Sequence, residues 1–137
     1  MLLIESTMPR FSIVIPTYNR ADLIAGAIRS ALQQTFEDYE VIVVENGSSD
    51  HTLEVLAPYR EQVKILPLRR NQGAGGARNL AAKQAMGDYL LMLDSDDLLY
   101  PWDLAVLEQV IRQGEHPTLI LHHYLRFHQR QELELAK

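Results

Sequence analysis

The stretch Tyr89-Leu90-Leu91-Met92-Leu93-Asp94-Ser95-Asp96-Asp97 joins an apolar run of strand length to three carboxylates within four residues. It reads as a strand whose carboxyl end opens into an acidic loop. Outward from it, further apolar and β-branched runs fall at Phe11 to Ile15, Tyr39 to Val44, Val63 to Leu68 and Leu119 to Phe127. Between these runs lie segments of helical spacing. Leu23, Ile24, Ala27, Ile28, Ala31 and Leu32 form one stripe, and Leu104, Leu107, Val110 and Ile111 form another. Alanine-rich Ala77 to Met86 supplies a third helix, and a short one begins at Thr52 before Pro58 disturbs it. Strands alternating with helices imply parallel pairing through right-handed crossovers. The expected fold is therefore α/β, an open, doubly wound, mainly parallel sheet with flanking helices.

At 137 residues the chain fits one compact domain spanning 1–137, with no internal repeat or linker. Hydrophobic residues make up 47% and charged residues 23%, which argues for a packed core and against disorder. A net charge of -5 offers no basic face for a phosphate backbone, so nucleic acid is not an expected partner. No apolar run approaches the roughly 20 residues that span a bilayer. The absence of cysteine excludes disulfides and thiolate metal sites and fits a reducing compartment. The expected location is the cytoplasm, with peripheral attachment to the inner face of a membrane left open.

In open α/β sheets ligands bind beyond the carboxyl ends of the strands, where the strand order reverses. That rule selects Pro16-Thr17-Tyr18-Asn19, Glu45 to Asp50, Asn71 to Asn79 and Asp94 to Asp97. Crowded carboxylates repel by about 1 kcal/mol in water and about 4 kcal/mol at an effective dielectric of 20, so a cation relieves Asp94, Asp96 and Asp97. An all-oxygen set suits Mg²⁺ or Mn²⁺, which completes its shell with substrate phosphates. The same aspartates also suit a turn or a helix cap. Asn46-Gly47 marks a turn, with Ser49 or Asp50 as the cap of the next helix. Asn71 to Gly76 reads as a flexible glycine-rich approach to a helix that carries Arg78, whose guanidinium suits phosphate oxygens. Its glycine spacing is neither G-x-G-x-x-G nor a Walker A loop. On the last run, His122, Tyr124, Arg126 and His128 would share a polar face open to self-association.

Taken in order, Phe11 to Asn19, Gln34-Thr35-Phe36 with Tyr39 to Val44, Glu45 to Asp50, Asn71-Gln72-Gly73 with Ala77-Arg78-Asn79, and Leu93 to Asp97 resemble the family 2 glycosyltransferases of GT-A fold. The resemblance runs from about Arg10 to Phe127. It implies a nucleotide-sugar-binding domain, with Pro16, Thr17 and Tyr18 bordering the nucleoside and Glu45 and Asn46 contacting the base. Arg78 would lie near the diphosphate, Asp94 with Ser95 would face ribose or sugar, and Asp96 and Asp97 would hold the metal. A UDP-sugar is the favoured donor and the acceptor is unknown.

Two departures bear on that implication. Many family members carry Asp-Asp-Gly-Ser where this sequence has Glu45-Asn46-Gly47-Ser48. An amide oxygen still accepts from a uracil imide, but its NH₂ also suits other bases. Family members also continue into an acceptor-binding half that supplies the general base of inverting transfer, and the sequence ends at Lys137. No residue here is assigned as that base. The competing expectation is a noncatalytic nucleotide-sugar-binding or interaction module. A phosphatase using Asp94 as nucleophile is a weaker third.

Overall fold

The computed structural model describes residues 8–114, 117, 118 and 120. Four strands, β1 (Phe11–Thr17), β2 (Tyr39–Glu45), β3 (Lys64–Pro67) and β4 (Tyr89–Met92), form a sheet of order β3-β2-β1-β4. All three pairings are parallel, as the alternation of strands and helices requires. The chain builds β1, β2 and β3 in one direction, then returns to add β4 on the other side of β1. The strand order therefore reverses between β1 and β4.

Helices cover both faces. α1 (Ile24–Leu32), α2 (Thr52–Leu56) and α4 (Asp103–Gln113) place Ile24, Ala27, Ile28, Leu56, Leu104 and Ile111 against Phe11, Ile13, Ile15, Val41 and Val43. α3 (Gly73–Gln84) packs Ala77 and Ala81 on Val14, Ile42 and Val44 across the sheet. Ile13, Val14, Ile15, Ile42 and Val43 are fully buried, which is the signature of a parallel strand covered on both faces. This is the doubly wound arrangement expected from the sequence.

The boundaries differ at informative places. β1 and β2 run on to Thr17 and Glu45, so Pro16, Thr17 and Glu45 belong to strands and not to the loops beyond them. α3 starts at Gly73, four residues before the alanine-rich segment, and ends at Gln84. Helix propensity argues against three glycines in a first turn, at about 1 kcal/mol each relative to alanine, but tertiary hydrogen bonds to this turn override it. The run Leu119 to Phe127, with the face of His122, Tyr124, Arg126 and His128, lies outside the described residues except for Ile120, which packs against the core. No helix among the described residues is long and apolar enough to cross a membrane.

An ionic clamp fixes α4 across the amino ends of β1 and β4. Arg10 Nε donates to Glu108 Oε2 at 2.8 Å and Arg10 Nη1 to Asp88 Oδ2 at 3.0 Å, with its guanidinium 4.9 Å from the centre of the Tyr89 ring. Arg112 Nε donates to Glu108 Oε1 at 2.7 Å. These hydrogen bonds from Arg10 and Arg112 hold the Glu108 carboxyl below its ordinary value of 4.5. A depressed folded-state pKa contributes stability that is present above that ordinary value and lost as pH falls through the folded one. Glu108→Gln should thus flatten the fall of melting temperature as pH drops below the ordinary glutamate value, at a cost of about 1.5 to 3 kcal/mol at neutral pH. An unchanged acid slope would refute the linkage.

Candidate functional site

Beyond the carboxyl ends of β1 and β4, where the strand order reverses, lies an open crevice of about 390 Å³. Pro16, Thr17, Tyr18 and Arg20 line it from the β1–α1 segment, Asn71, Gly73, Ala74 and Arg78 from α3 and its approach, and Asp94, Ser95 and Asp96 from the end of β4. Seven of the predicted site residues thus meet at one place: Pro16, Thr17, Tyr18, Arg78, Asp94, Ser95 and Asp96. A second cavity, lined by Leu32, Gln34, Tyr39 and Gln62 among others, includes the residue that begins β2 and so sits at the opposite end of that strand.

The acidic floor is compact. Carboxylate oxygens of Asp94, Asp96 and Asp97 lie within 4.8 Å of one another, and all three residues are exposed. The turn that gathers them closes with the Asp97 amide donating to the Asp94 carbonyl at 3.0 Å. Burial first, then the neighbouring charges of Asp96 and Asp94, push the Asp97 carboxyl up from its ordinary value. Mutual repulsion in an all-oxygen set is what a hard divalent cation relieves, so these residues fit Mg²⁺ or Mn²⁺. Arg78 Nη2 meets Asp94 Oδ1 at 2.5 Å, so one of the three carboxylates already has a partner. Asp97 does not line the crevice itself but stands beside it in the turn.

Glu45 and Asn46, expected at the base, lie under the crevice wall and are almost fully buried. Glu45 Oε1 accepts from the Ser48 amide at 2.7 Å. Asn46 Nδ2 donates to Asn71 Oδ1 and to the Gly73 carbonyl, both at 3.1 Å, while its Oδ1 accepts from the Gln72 amide at 2.9 Å. Asn71 Oδ1 also accepts from the Gly73 amide at 2.7 Å. Side chains of two asparagines therefore build the first turn of α3, which explains why the glycine-rich stretch is helical and not a flexible loop. Thr17 Oγ1, buried at the crevice, has no hydrogen-bond partner among the described residues.

The β1–α1 loop is pinned just as closely. Asn19 adopts a left-handed φ of 49°, a conformation that asparagine tolerates better than most residues. Its Oδ1 accepts from the amides of Ser49 at 2.8 Å and Asp50 at 3.3 Å, and its own amide donates to Ser48 Oγ at 3.0 Å. His51, and neither Ser49 nor Asp50, takes the N-cap position of α2, and Asp50 Oδ1, one residue earlier, accepts from the Thr52 amide at 2.9 Å. The Thr52 hydroxyl, first among several donors, holds the Asp50 carboxyl below its ordinary value. Arg20 was not singled out in the sequence. Its position three residues past the end of β1, and before α1, is the signal that marks it.

A family model described as glycosyl transferase family 2 matches residues 12–137. An uncharacterized glycosyltransferase of Nostoc sp. is 35% identical over 117 residues, covering 83% of this chain and 36% of the relative. Staphylococcus aureus TarS 1-349, solved in complex with UDP, superposes with a TM-score of 0.73 at 35% identity, over 77% of this chain and 33% of that one. A Pyrobaculum calidifontis mannosyltransferase, solved with GDP-Man and Mn²⁺, gives a TM-score of 0.70 at 25% identity, over 77% of this chain and 33% of that one. The chain spans between 13% and 37% of the length of curated relatives that it matches.

Proposed function

The chain belongs to glycosyl transferase family 2, and from that premise we propose that it is the donor-binding part of an inverting, metal-dependent transferase acting on a UDP-sugar. The observation that carries this reading is the acidic cluster at the switch point, within one crevice that also holds Arg78 and Tyr18. UDP is favoured as the nucleotide because the similar TarS structure contains it, and Mn²⁺ is supported by the more distant mannosyltransferase.

In this reading Asp96 and Asp97 would hold Mg²⁺ or Mn²⁺, which would supply positive charge to offset that developing on the departing diphosphate. Pro16, Thr17 and Tyr18 border the nucleoside, and the unpartnered Thr17 hydroxyl is available to it. Glu45 and Asn46 contact the base, the Glu45 carboxylate accepting a hydrogen bond from the uracil imide, and Asn46 also holds the α3 turn. Asp94 and Ser95 face ribose or sugar. Arg78 exchanges part of its pairing with Asp94 for a phosphate oxygen. The acceptor hydroxyl is deprotonated by a base that none of these residues is assigned to be. The cysteine-free sequence favours the cytoplasm, including the inner membrane face, as the place of action.

The test is thermal stability with and without metal. A UDP-sugar at 100 times its Kd should stabilise the chain by about 2.7 kcal/mol when Mn²⁺ is present. In excess chelator the gain should vanish, because Asp94 and Asp96 in the crevice, with Asp97 beside them, repel a bare diphosphate. Equal stabilisation in both conditions would overturn the metal-bridged reading.

A further inference from the structure

Arg20 lines the crevice but belongs to none of the roles given above. Its guanidinium makes one hydrogen bond, Nη1 to the neighbouring Asn19 carbonyl at 3.2 Å, and no carboxylate pairs with it among the described residues. Arg78, by contrast, is already engaged by Asp94. The two arginines approach from different layers, since Arg20 leads into α1 on one face of the sheet and Arg78 sits on α3 on the other.

A solvated surface arginine needs no special support, yet the backbone that carries Arg20 is fixed on both sides. The Arg20 amide donates to Thr52 Oγ1 at 3.1 Å and the Ala21 amide to Asp50 Oδ2 at 3.3 Å. Asn19, just before it, takes the left-handed φ and three hydrogen bonds to the β2–α2 loop described above. A pinned stem lowers the entropy lost when a long side chain closes on a ligand.

Charge supplies the second argument. Asp94 and Asp96 line the crevice and oppose an anion, and Arg78 is already paired with Asp94, whereas a donor diphosphate brings about two negative charges. A cation without a carboxylate partner is what favours it. Arg20 is the other cationic residue lining the crevice.

We propose that Arg20 is a second phosphate-binding residue, which closes on the donor diphosphate from the wall facing Arg78. The proposal rests on the donor reading above and names a residue for it. The Arg20 side chain lies along its own loop, on the Asn19 carbonyl. On binding, its forked N–H groups take nonbridging phosphate oxygens that the metal and Arg78 leave open.

The experiment compares wild type, Arg20→Ala and Arg20→Lys with saturating Mn²⁺, using calorimetry for UDP and ligand-observed NMR for uridine. Arg20→Ala should weaken UDP about 10- to 100-fold and leave uridine unchanged, with the lysine variant in between. An unaltered melting temperature for unliganded Arg20→Ala shows that the loop is intact. Equal losses for uridine and UDP, or no loss for either, would overturn the proposal while leaving the donor reading standing. A wild type that binds no UDP would overturn the donor reading, and this proposal with it.

Discussion

Asp96→Ala should abolish the part of UDP-sugar binding that depends on Mn²⁺. At a ligand concentration that stabilises the wild type by about 2.7 kcal/mol, the variant's melting temperature should shift by less than a few tenths of a degree. The wild type should gain on the order of 8 °C. The reason is local. Asp94 is paired with Arg78 and Asp97 stands beside the crevice, so Asp96 is the carboxylate that lines the crevice without a salt-bridge partner among the described residues. Arg78→Ala is the informative control. With Arg78 proposed as a phosphate partner and not a metal ligand, this variant should lose about 1.5 to 3 kcal/mol of UDP binding and still respond to chelator. An Asp96→Ala chain that binds like wild type would place the metal elsewhere.

Much of this site was legible because a parallel sheet puts function at predictable places. Each strand run was long enough and apolar enough to stand out, and the switch-point rule then selected the residues after β1 and β4. Asp94 to Asp97 was recognisable because three crowded carboxylates follow the carboxyl end of an apolar strand. What escaped the sequence shares a single physical character: it depends on hydrogen bonds between segments far apart in the chain. Asn46 read as a loop residue facing the base, yet its carboxamide is engaged 25 to 27 residues away, on Asn71 and Gly73. The start of α3 escaped for the same reason, since glycine propensities argue for a loop and only the Asn46 and Asn71 side chains decide otherwise. Arg20 escaped because an arginine before an amphipathic helix has an ordinary explanation. Its backbone anchors at Thr52 and its neighbour's at Asp50 become visible only when the two loops are seen side by side.

Gly47→Ala should be among the most damaging single methyl additions available in this chain, and it tests that cross-loop construction directly. Gly47 adopts a φ of 75°, where an alanine side chain is disfavoured by about 1 to 2 kcal/mol. The added Cβ would also lie 2.6 Å from the Arg70 carbonyl carbon, 2.7 Å from its Cα and 2.8 Å from the Asn71 nitrogen. Those atoms are backbone, so no rotamer change relieves the contact, and displacement of the segment adds roughly 1 to 3 kcal/mol. The total, about 2 to 5 kcal/mol, should appear as a lowered urea midpoint. The displaced residues lead directly into α3, so Asn71 and Gly73 move with them and the crevice wall that they form is lost. UDP binding should therefore weaken by more than the population of unfolded chain explains. Gly75→Ala separates this effect from a general intolerance of alanine. Its Cβ meets nothing within 4 Å, its φ is not positive, and it lies within α3. Alanine there should stabilise the helix by about 0.5 to 1 kcal/mol and leave UDP binding unchanged. If Gly47→Ala unfolds at the wild-type midpoint, the close approach of the β2–α2 loop to Arg70 and Asn71 is wrong. The positioning role assigned to Asn46 would then fail with it.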